Sequence, residues 1–193
     1  MTPRILVVAG SIRAGSFNRL LAAAATKELA ILGAEVTQIA LQDYPLPIIG
    51  MEEPMQRRIP ENVLKLMRLV QTHDGLFIAS PEYNASIPPL LKNAIDWVSR
   101  ADESGREPSA WRGRVVALAC ASDRRSGGVL GLDHLRAVMI AVGALVVTEQ
   151  CTVTEAAQAI GDGGSLSRPQ DRGALEATCR SLFELAFALR DRA

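Results

Sequence analysis

Four short apolar runs recur along the chain, and each is followed by a loop of small or polar residues and then by a helical pattern. They cover residues 5–9, 74–80, 114–120 and 144–148. Because they do not alternate between apolar and polar residues, they are typical of strands buried on both faces of a parallel sheet. A fifth segment, residues 34–39, does alternate and predicts a strand near an edge. This repeated order of strand, loop and helix predicts an α/β fold.

The helical patterns predict helices over residues 18–32, from 61 to about 70, 90–98, 130–142 and 171–190. The glycine-rich stretch 161–165 predicts a flexible connection. A doubly wound sheet of five parallel strands in the order 2-1-3-4-5, with helices on both faces, accommodates these elements best. In such a sheet a ligand binds at the carboxyl ends of strands 1, 3 and 4, which is where three loops rich in polar residues fall.

Composition predicts one domain over residues 1–193, since 48% of the residues are hydrophobic. The 21 basic and 21 acidic residues balance, which argues against nucleic acid or an anionic membrane as a partner. No apolar run approaches the roughly 20 residues that span a bilayer, and the N-terminus lacks a signal-peptide pattern. Three widely spaced cysteines without metal-ligand spacing predict a reduced, cytoplasmic protein with no metal site, in which Cys120 is a small buried hydrophobic residue.

The loop after the first strand, residues 10–18, combines glycines, hydroxyls, an amide and one arginine. It lacks the glycine spacing of a dinucleotide fingerprint and the Gly-Lys-Ser/Thr ending of a nucleotide triphosphate loop. A helix N-terminus attracts anions, and the side chains suit a terminal phosphate monoester such as that of FMN: Ser11, Arg13, Ser16 and Asn18. The alternative is a plain turn in which Ser16 or Asn18 caps the helix.

The loop after the third strand reads Pro81-Glu82-Tyr83-Asn84. Its backbone donors, amide and aromatic ring can hold the polar edge of a planar heterocycle and cover one of its faces. A turn before a proline-initiated helix explains the same residues without a ligand.

Three segments, taken in order, resemble the NAD(P)H-dependent FMN reductase family. They are residues 10–18, the tetrapeptide at 81–84, and Pro-Pro-Leu-Leu-Lys-Asn-Ala-Ile-Asp-Trp-Val-Ser-Arg at 88–100. That family has a flavodoxin-like fold and includes quinone, chromate and azo-dye reductases. The match is close over the first half of the chain, and the general layout extends through the rest.

The resemblance implies an oxidoreductase that binds FMN and takes electrons from NADPH or NADH. It implies that the FMN phosphate is bound by Ser11, Arg13, Ser16, Phe17 and Asn18. It further implies that the isoalloxazine ring is held by Pro81, Glu82, Tyr83 and Asn84, with Ser122 as a further cofactor contact.

The same resemblance implies a ping-pong cycle in which hydride passes through the flavin to a small-molecule acceptor such as a quinone. No side chain is needed as nucleophile or base, and backbone N–H groups of the loops after strands 3 and 4 stabilise charge on the ring. A second interpretation is a flavin-binding electron carrier, or an FMN-binding module, without its own NAD(P)H turnover. Flavodoxin carriers are typically strongly acidic, whereas this chain is neutral.

The loop after the fourth strand departs from the family pattern of Ser-x-Gly followed by a glycine pair. Here it reads Ser-Asp-Arg-Arg-Ser-Gly-Gly over residues 122–128, and Arg124 stands where the first glycine is expected. Arg124 and Arg125 either bind the 2′-phosphate of NADPH, which would favour NADPH over NADH, or form a solvated surface.

Two segments bear on subunit contacts. Residues 42–60 are too rich in proline for regular structure, and their apolar members line a pocket, contact another subunit or pack onto the body: Tyr44, Leu46, Ile48, Ile49 and Met51. The helix 89–100 carries apolar residues on more than one side, which predicts contact with a second subunit. The family resemblance likewise implies homodimers or homotetramers.

Overall fold

The computed structural model describes residues 2–50, 59–100 and 109–190. Its strands are β1 (Arg4–Ala9), β2 (Glu35–Ala40), β3 (Gly75–Ala79), β4 (Val115–Ala121) and β5 (Leu145–Val153). Its helices are α1 (Phe17–Ile31), α2 (Glu61–Thr72), α3 (Pro89–Ser99), α4 (Val129–Ala141), α5 (Ala156–Ala159) and α6 (Pro169–Leu189). Two 3-10 turns lie at Leu41–Asp43 and Asp162–Gly164. Within these residues no helix has the length and apolar character needed to cross a membrane.

The five strands form one parallel sheet in the order β2-β1-β3-β4-β5, which confirms the predicted topology. Each of β1, β3 and β4 lies between two other strands, and their residues are buried almost without exception. β2 lies at an edge, as its sequence predicted, and its side chains are exposed or half-buried.

Two apolar cores cover the two faces of the sheet. Ile5 and Val7 belong to the core shared with α1 and α6, whereas Leu6 and Val8 belong to the core shared with α2, α3 and α4. Alternate residues of one strand therefore enter different cores. Burial of each such side chain contributes about 1.5–3 kcal/mol, and the two-sided burial explains why the strand sequences do not alternate.

The predicted helix boundaries agree with the structure to within about two residues, and Gly33 follows the end of α1 with a φ of 93°, as expected for a residue just past a helix C-terminus. Other details differ. In α2, the apolar spacing of the sequence predicts a core-facing stripe of Val63, Leu64, Met67 and Val70. In the structure the buried residues are Val63, Leu66 and Val70, while Leu64 is exposed. β5 continues to Val153 because the end of β4 pairs with residues 150–153, although polar residues interrupt the apolar pattern there.

The stretch 161–165 is not an open connection. It forms a 3-10 turn packed against α1, and a Cβ added at Gly164 would lie 2.4 Å from the Leu20 carbonyl oxygen. The Lys27 Nζ donates a hydrogen bond of 2.8 Å to the Gly163 carbonyl oxygen. The prediction of a flexible segment was wrong because small residues also allow close packing of backbone on a helix.

The described part of the proline-rich stretch packs onto α3 of the same chain. The Pro47 carbonyl oxygen accepts hydrogen bonds from Trp97 Nε1 at 2.8 Å and from Asn93 Nδ2 at 2.9 Å. The Ile49 N–H donates to Asn93 Oδ1 at 2.9 Å. Of the alternatives left open, packing onto the body is therefore confirmed for Tyr44 and Leu46, which pack against the core, and for the half-buried Ile49. Ile48 is 63% exposed, and Met51 lies outside the described residues. The buried Trp97 of α3 is thus covered by its own chain rather than by a second subunit.

Candidate functional site

The loops after β1, β3 and β4 meet at one pocket of about 160 Å³ at the carboxyl edge of the sheet. The Gly10 N–H donates to the Ala79 carbonyl at 2.8 Å, and the Ser80 N–H donates to the Ala119 carbonyl at 2.8 Å. The three loops therefore leave the sheet side by side. The residues predicted from the sequence that line this pocket are Ser11, Arg13, Ser16, Phe17, Asn18, Pro81, Glu82, Tyr83 and Ser122. The convergence predicted from the switch point is confirmed.

The lining does not include Asn84, Arg124 or Arg125. Asn84 and Ala85 have φ values of 50° and 61° and form a tight turn, closed by mutual backbone hydrogen bonds of Tyr83 and Ser86 at 2.8 and 3.0 Å. Asparagine tolerates this left-handed conformation better than most residues. In the described structure Asn84 therefore shapes the turn that holds Tyr83 at the pocket.

The two arginines are exposed on the turn between β4 and α4. They directly follow Asp123, which does line the pocket. Asp123 and Ala121 are lining residues that the sequence reasoning missed, although both are neighbours of the predicted Ser122 at a strand end.

The loop 10–18 leaves the N-terminus of α1 without a side-chain cap. Ser16 occupies the N-cap position, but its hydroxyl makes no cap hydrogen bond, and the first turn of α1 contains no acidic residue. Ser11 and Ser16 are 8% and 3% exposed, and Arg13 is exposed on the same pocket. Because the first N–H groups of a helix have no intrahelical acceptor, this corner of the pocket offers donors and positive charge together.

Asn18 also lines the pocket, but its amide is engaged inside the protein. Its Nδ2 donates to the Ala121 carbonyl oxygen at 2.8 Å, and its Oδ1 accepts from the Ala121 N–H at 2.9 Å. The side chain therefore ties the start of α1 to the end of β4. It does not cap α1, which was the alternative interpretation of this residue.

Two carboxylates at the pocket are engaged in a similar way. Glu82 Oε2 accepts the Gly131 N–H at 2.9 Å in the first turn of α4. Asp123 Oδ1 accepts the Ala157 N–H at 2.8 Å in the first turn of α5. Each carboxylate thus caps a helix that follows a different strand, in accord with the positive N-terminal end of a helix.

The backbone of these loops has fewer donors to offer than the sequence suggested. The Ser122 N–H donates to the Val153 carbonyl at 2.9 Å, and the Arg124 N–H donates to the Ser122 hydroxyl at 3.1 Å. The N–H groups of Tyr83 and Gly127 likewise donate to carbonyls within their own turns. The expectation that backbone N–H groups of both loops serve a ligand is therefore wrong for these four residues.

Of the two glycines before α4, Gly128 is required by Cys120, which lies against it. Gly128 has a φ of 84°, and a Cβ at this position would lie 2.1 Å from Cys120 Sγ. Cys120 is fully buried. Burial, together with the negative charge of Glu82, raises the pKa of its thiol to about 12, so it stays protonated at neutral pH. The prediction that Cys120 is a buried hydrophobic residue is confirmed.

The sheet order and the polar pocket at its switch point define a flavodoxin-like α/β protein. FerB, a flavoenzyme NAD(P)H:(acceptor) oxidoreductase from Paracoccus denitrificans, shares this fold. The two structures superpose with a TM-score of 0.81 over 97% of this chain and 98% of that chain, at 24% sequence identity.

Sequence comparison identifies the family. The model of the NADPH-dependent FMN reductase family matches residues 3–158. The chain is 33% identical over 147 residues to the quinone reductase of Escherichia coli (strain K12), covering 76% of this chain and 74% of that protein. It is 35% identical over 139 residues to a 2-hydroxy-1,4-benzoquinone reductase of Burkholderia sp, covering 72% and 70%. The chain belongs to the NADPH-dependent FMN reductase family, which confirms the resemblance, and is an oxidoreductase that uses FMN and NAD(P)H.

Proposed function

We propose that the protein reduces quinones or related small acceptors with NAD(P)H, through FMN bound at the pocket between the loops after β1, β3 and β4. Bound FMN supplies the hydride chemistry, and the protein supplies position and electrostatics. One observation carries this proposal: an uncapped helix N-terminus, two buried hydroxyls and an arginine share one pocket at the switch point of a flavodoxin-like sheet.

The residues present fit a phosphate monoester. Ser11 and Ser16 supply neutral donors, Arg13 supplies a charge-assisted donor, and the first turn of α1 supplies backbone N–H groups. The positive end of α1 and one guanidinium suit a dianion, since no acidic residue occupies that turn. Phe17 and Asn18 complete this part of the pocket, Asn18 by fixing its walls.

We assign the ring to the remaining residues of the pocket. Pro81, Glu82 and Ser122 line it beside Tyr83, whose side chain is about half exposed and is therefore available for stacking. Asn84 contributes through the turn that holds Tyr83. NAD(P)H and the acceptor would bind in turn at the same exposed face of the ring, which is a ping-pong order. Quinones are proposed as acceptors because both relatives identified by sequence comparison are quinone reductases.

We assign Arg124 and Arg125 to the 2′-phosphate of NADPH. Both side chains are exposed and directly follow Asp123 at the pocket. Guanidinium groups bind phosphate in a forked geometry that ammonium groups lack.

We further propose a homodimer or homotetramer in the cytoplasm. Large apolar side chains remain exposed on α4, among them Leu130 and Ile140. All three cysteines are free and buried, as in proteins of a reducing compartment. Sedimentation or light scattering at micromolar concentration checks the assembly, and a mass equal to the 20.7 kDa chain would contradict it.

The test is NADPH oxidation by the purified protein loaded with FMN, with and without a quinone. We expect oxidation that depends on the quinone, and parallel lines in double-reciprocal plots as both substrates are varied. A protein that binds FMN but oxidises NADPH no faster than free FMN would be the carrier or binding module. Failure to bind FMN at all would reject the proposed site itself.

A further inference from the structure

The first turn of α4 is capped by a residue from a different loop. Its own N-cap residue is Gly128, which has no side chain and adopts a left-handed conformation. The N–H of Gly131, the third residue of the helix, therefore needs an acceptor from elsewhere. Glu82 Oε2, 49 positions away along the chain, accepts it at 2.9 Å.

Close packing accompanies this hydrogen bond. A Cβ added at Gly131 would lie 3.1 Å from both Cβ and Cγ of Glu82 and 3.2 Å from its Cα. A Cβ at Gly128 would lie 3.5 Å from Glu82 Cβ. The backbone of α4 thus rests directly on Glu82, and the absence of a side chain at position 131 lets the carboxylate reach the helix.

A second contact joins the same two segments. His134, one turn further along α4, has its Nδ1 at 3.2 Å from the Ser86 hydroxyl. Ser86 closes the turn that begins at Tyr83. The loop 81–86 is therefore connected to α4 at both of its ends, and the turn 122–128 leads directly into the same helix.

We propose that Glu82 is a positioning residue, whose carboxylate fastens the loop after β3 to the first turn of α4 and so fixes the segments 81–84 and 122–128 before the cofactor binds. The effect on FMN rests on the proposed function, whereas the fastening exists in the apoprotein. Sequence reasoning placed Glu82 among the contacts to the ring. The geometry instead gives its side chain a partner within the protein.

The experiment compares Glu82→Ala and Glu82→Gln with the wild type. We expect Glu82→Ala to weaken the binding of FMN and of riboflavin alike by about tenfold, which corresponds to about 1.4 kcal/mol. The ratio of the two affinities should stay constant, because the phosphate end is untouched. Glutamine keeps an acceptor oxygen of the same reach, so Glu82→Gln should retain binding to within about threefold.

Amide exchange in the apoprotein gives a readout that does not involve FMN. By NMR, the Gly131 amide should exchange about tenfold faster in Glu82→Ala than in the wild type or in Glu82→Gln. Glu184→Ala is the matched control, since Glu184 is an exposed residue near the C-terminal end of α6 and does not line the pocket. It should change neither the affinities nor the exchange rate.

Gly131→Ala tests the same contact with the carboxylate left in place. Alanine within a helix is normally stabilising relative to glycine, but its Cβ would push Glu82 and its loop away. We expect weaker binding of FMN and of riboflavin alike, and this variant provides the test if Glu82→Ala does not fold.

Three results would overturn the proposal: unchanged affinity and exchange in Glu82→Ala, an equal loss in Glu82→Gln, or full affinity in Gly131→Ala. If the wild type binds no FMN, the proposed function fails, and the Gly131 exchange rates still decide whether Glu82 fastens the two segments.

Discussion

The two sides of the pocket use their polar residues differently. In the loop 10–18, the Ser16 hydroxyl makes no cap hydrogen bond and Arg13 extends into an exposed position, so these groups are available to a ligand. In the loops after β3 and β4, the carboxylates of Glu82 and Asp123 and the N–H groups of Tyr83 and Ser122 already have partners within the protein. We call the first the open side and the second the tied side.

The difference separates two contributions to binding. Groups without protein partners can form new hydrogen bonds with a ligand and so set the affinity for its charged end. Groups that are already paired fix the shape of the site and reduce the ordering cost of binding. Substitutions on the tied side should therefore act on stability, or on the affinities for FMN and riboflavin alike, whereas substitutions on the open side should act mainly on the affinity for the charged end of the ligand.

Asn18→Ala should have the largest effect on stability, because Asn18 belongs to the loop 10–18 of the open side but its amide is paired within the protein. It leaves the buried N–H and carbonyl of Ala121 without partners, and each such group costs about 1–3 kcal/mol. We expect the free energy of unfolding in urea to fall by about 4 kcal/mol. Asn62→Ala, which removes one exposed hydrogen bond to the Pro45 carbonyl, is the control. If both variants lose the same free energy of unfolding, the hydrogen bonds between Asn18 and β4 do not contribute strongly to stability.

Gly128→Ala should lower the free energy of unfolding by about 3 kcal/mol. Overpacking against Cys120 costs about 1–3 kcal/mol and the left-handed conformation about 1–2 kcal/mol. Gly15→Ala, on the open side, is a matched control because its φ is 70° but no atom lies within 4 Å of the added Cβ. It should lose about 1 kcal/mol. Thermal or urea unfolding measures both, and an equal loss would mean that the contact with Cys120 relaxes without cost.

Arg13→Ala tests the open side itself. It should weaken FMN binding by about 1.5–3 kcal/mol, the range for a lost charge-assisted hydrogen bond, with the exposed position favouring the lower end. Riboflavin binding should hardly change, so the preference for FMN should fall sharply. The free energy of unfolding should stay within about 0.5 kcal/mol of the wild type. Fluorescence titration of both flavins makes the measurement, and a parallel loss for FMN and riboflavin would place Arg13 away from the phosphate.

The double replacement of Arg124 and Arg125 by Ala should have the smallest effect. We expect the wild type to prefer NADPH over NADH by roughly three- to thirtyfold in kcat/KM, since exposed ion pairs contribute only about 0–1 kcal/mol each. The preference should shrink with salt, because screening acts over about 8–10 Å. Steady-state kinetics at low and high salt, with both cofactors, measures it. If the double variant keeps the parent ratio, the arginines are solvated surface charges.

The sequence predicted most of the fold and most of the pocket lining, and the errors have a common origin. The unbroken apolar runs predicted that β1, β3 and β4 are buried on both faces of the sheet. The switch-point rule then predicted that the three loops after these strands lie close together. The predictions for Leu64, for the turn at 162–164 and for the end of β5 were wrong. Local sequence patterns do not show which part of the folded chain covers a residue.

The sequence by itself determined the α/β class, the strand order, the family and the edge of the sheet at which the site lies. These follow from periodicity and motif order, which are properties of neighbouring residues. The tertiary structure alone decided which polar residues at that edge are already engaged. Asn18, Glu82 and Asp123 pair with backbone groups 103, 49 and 34 positions away, and packing selects such partners when the elements meet. The same side chain can bind a ligand or fasten a helix, and its hydrogen-bond partner in the folded chain distinguishes the two roles.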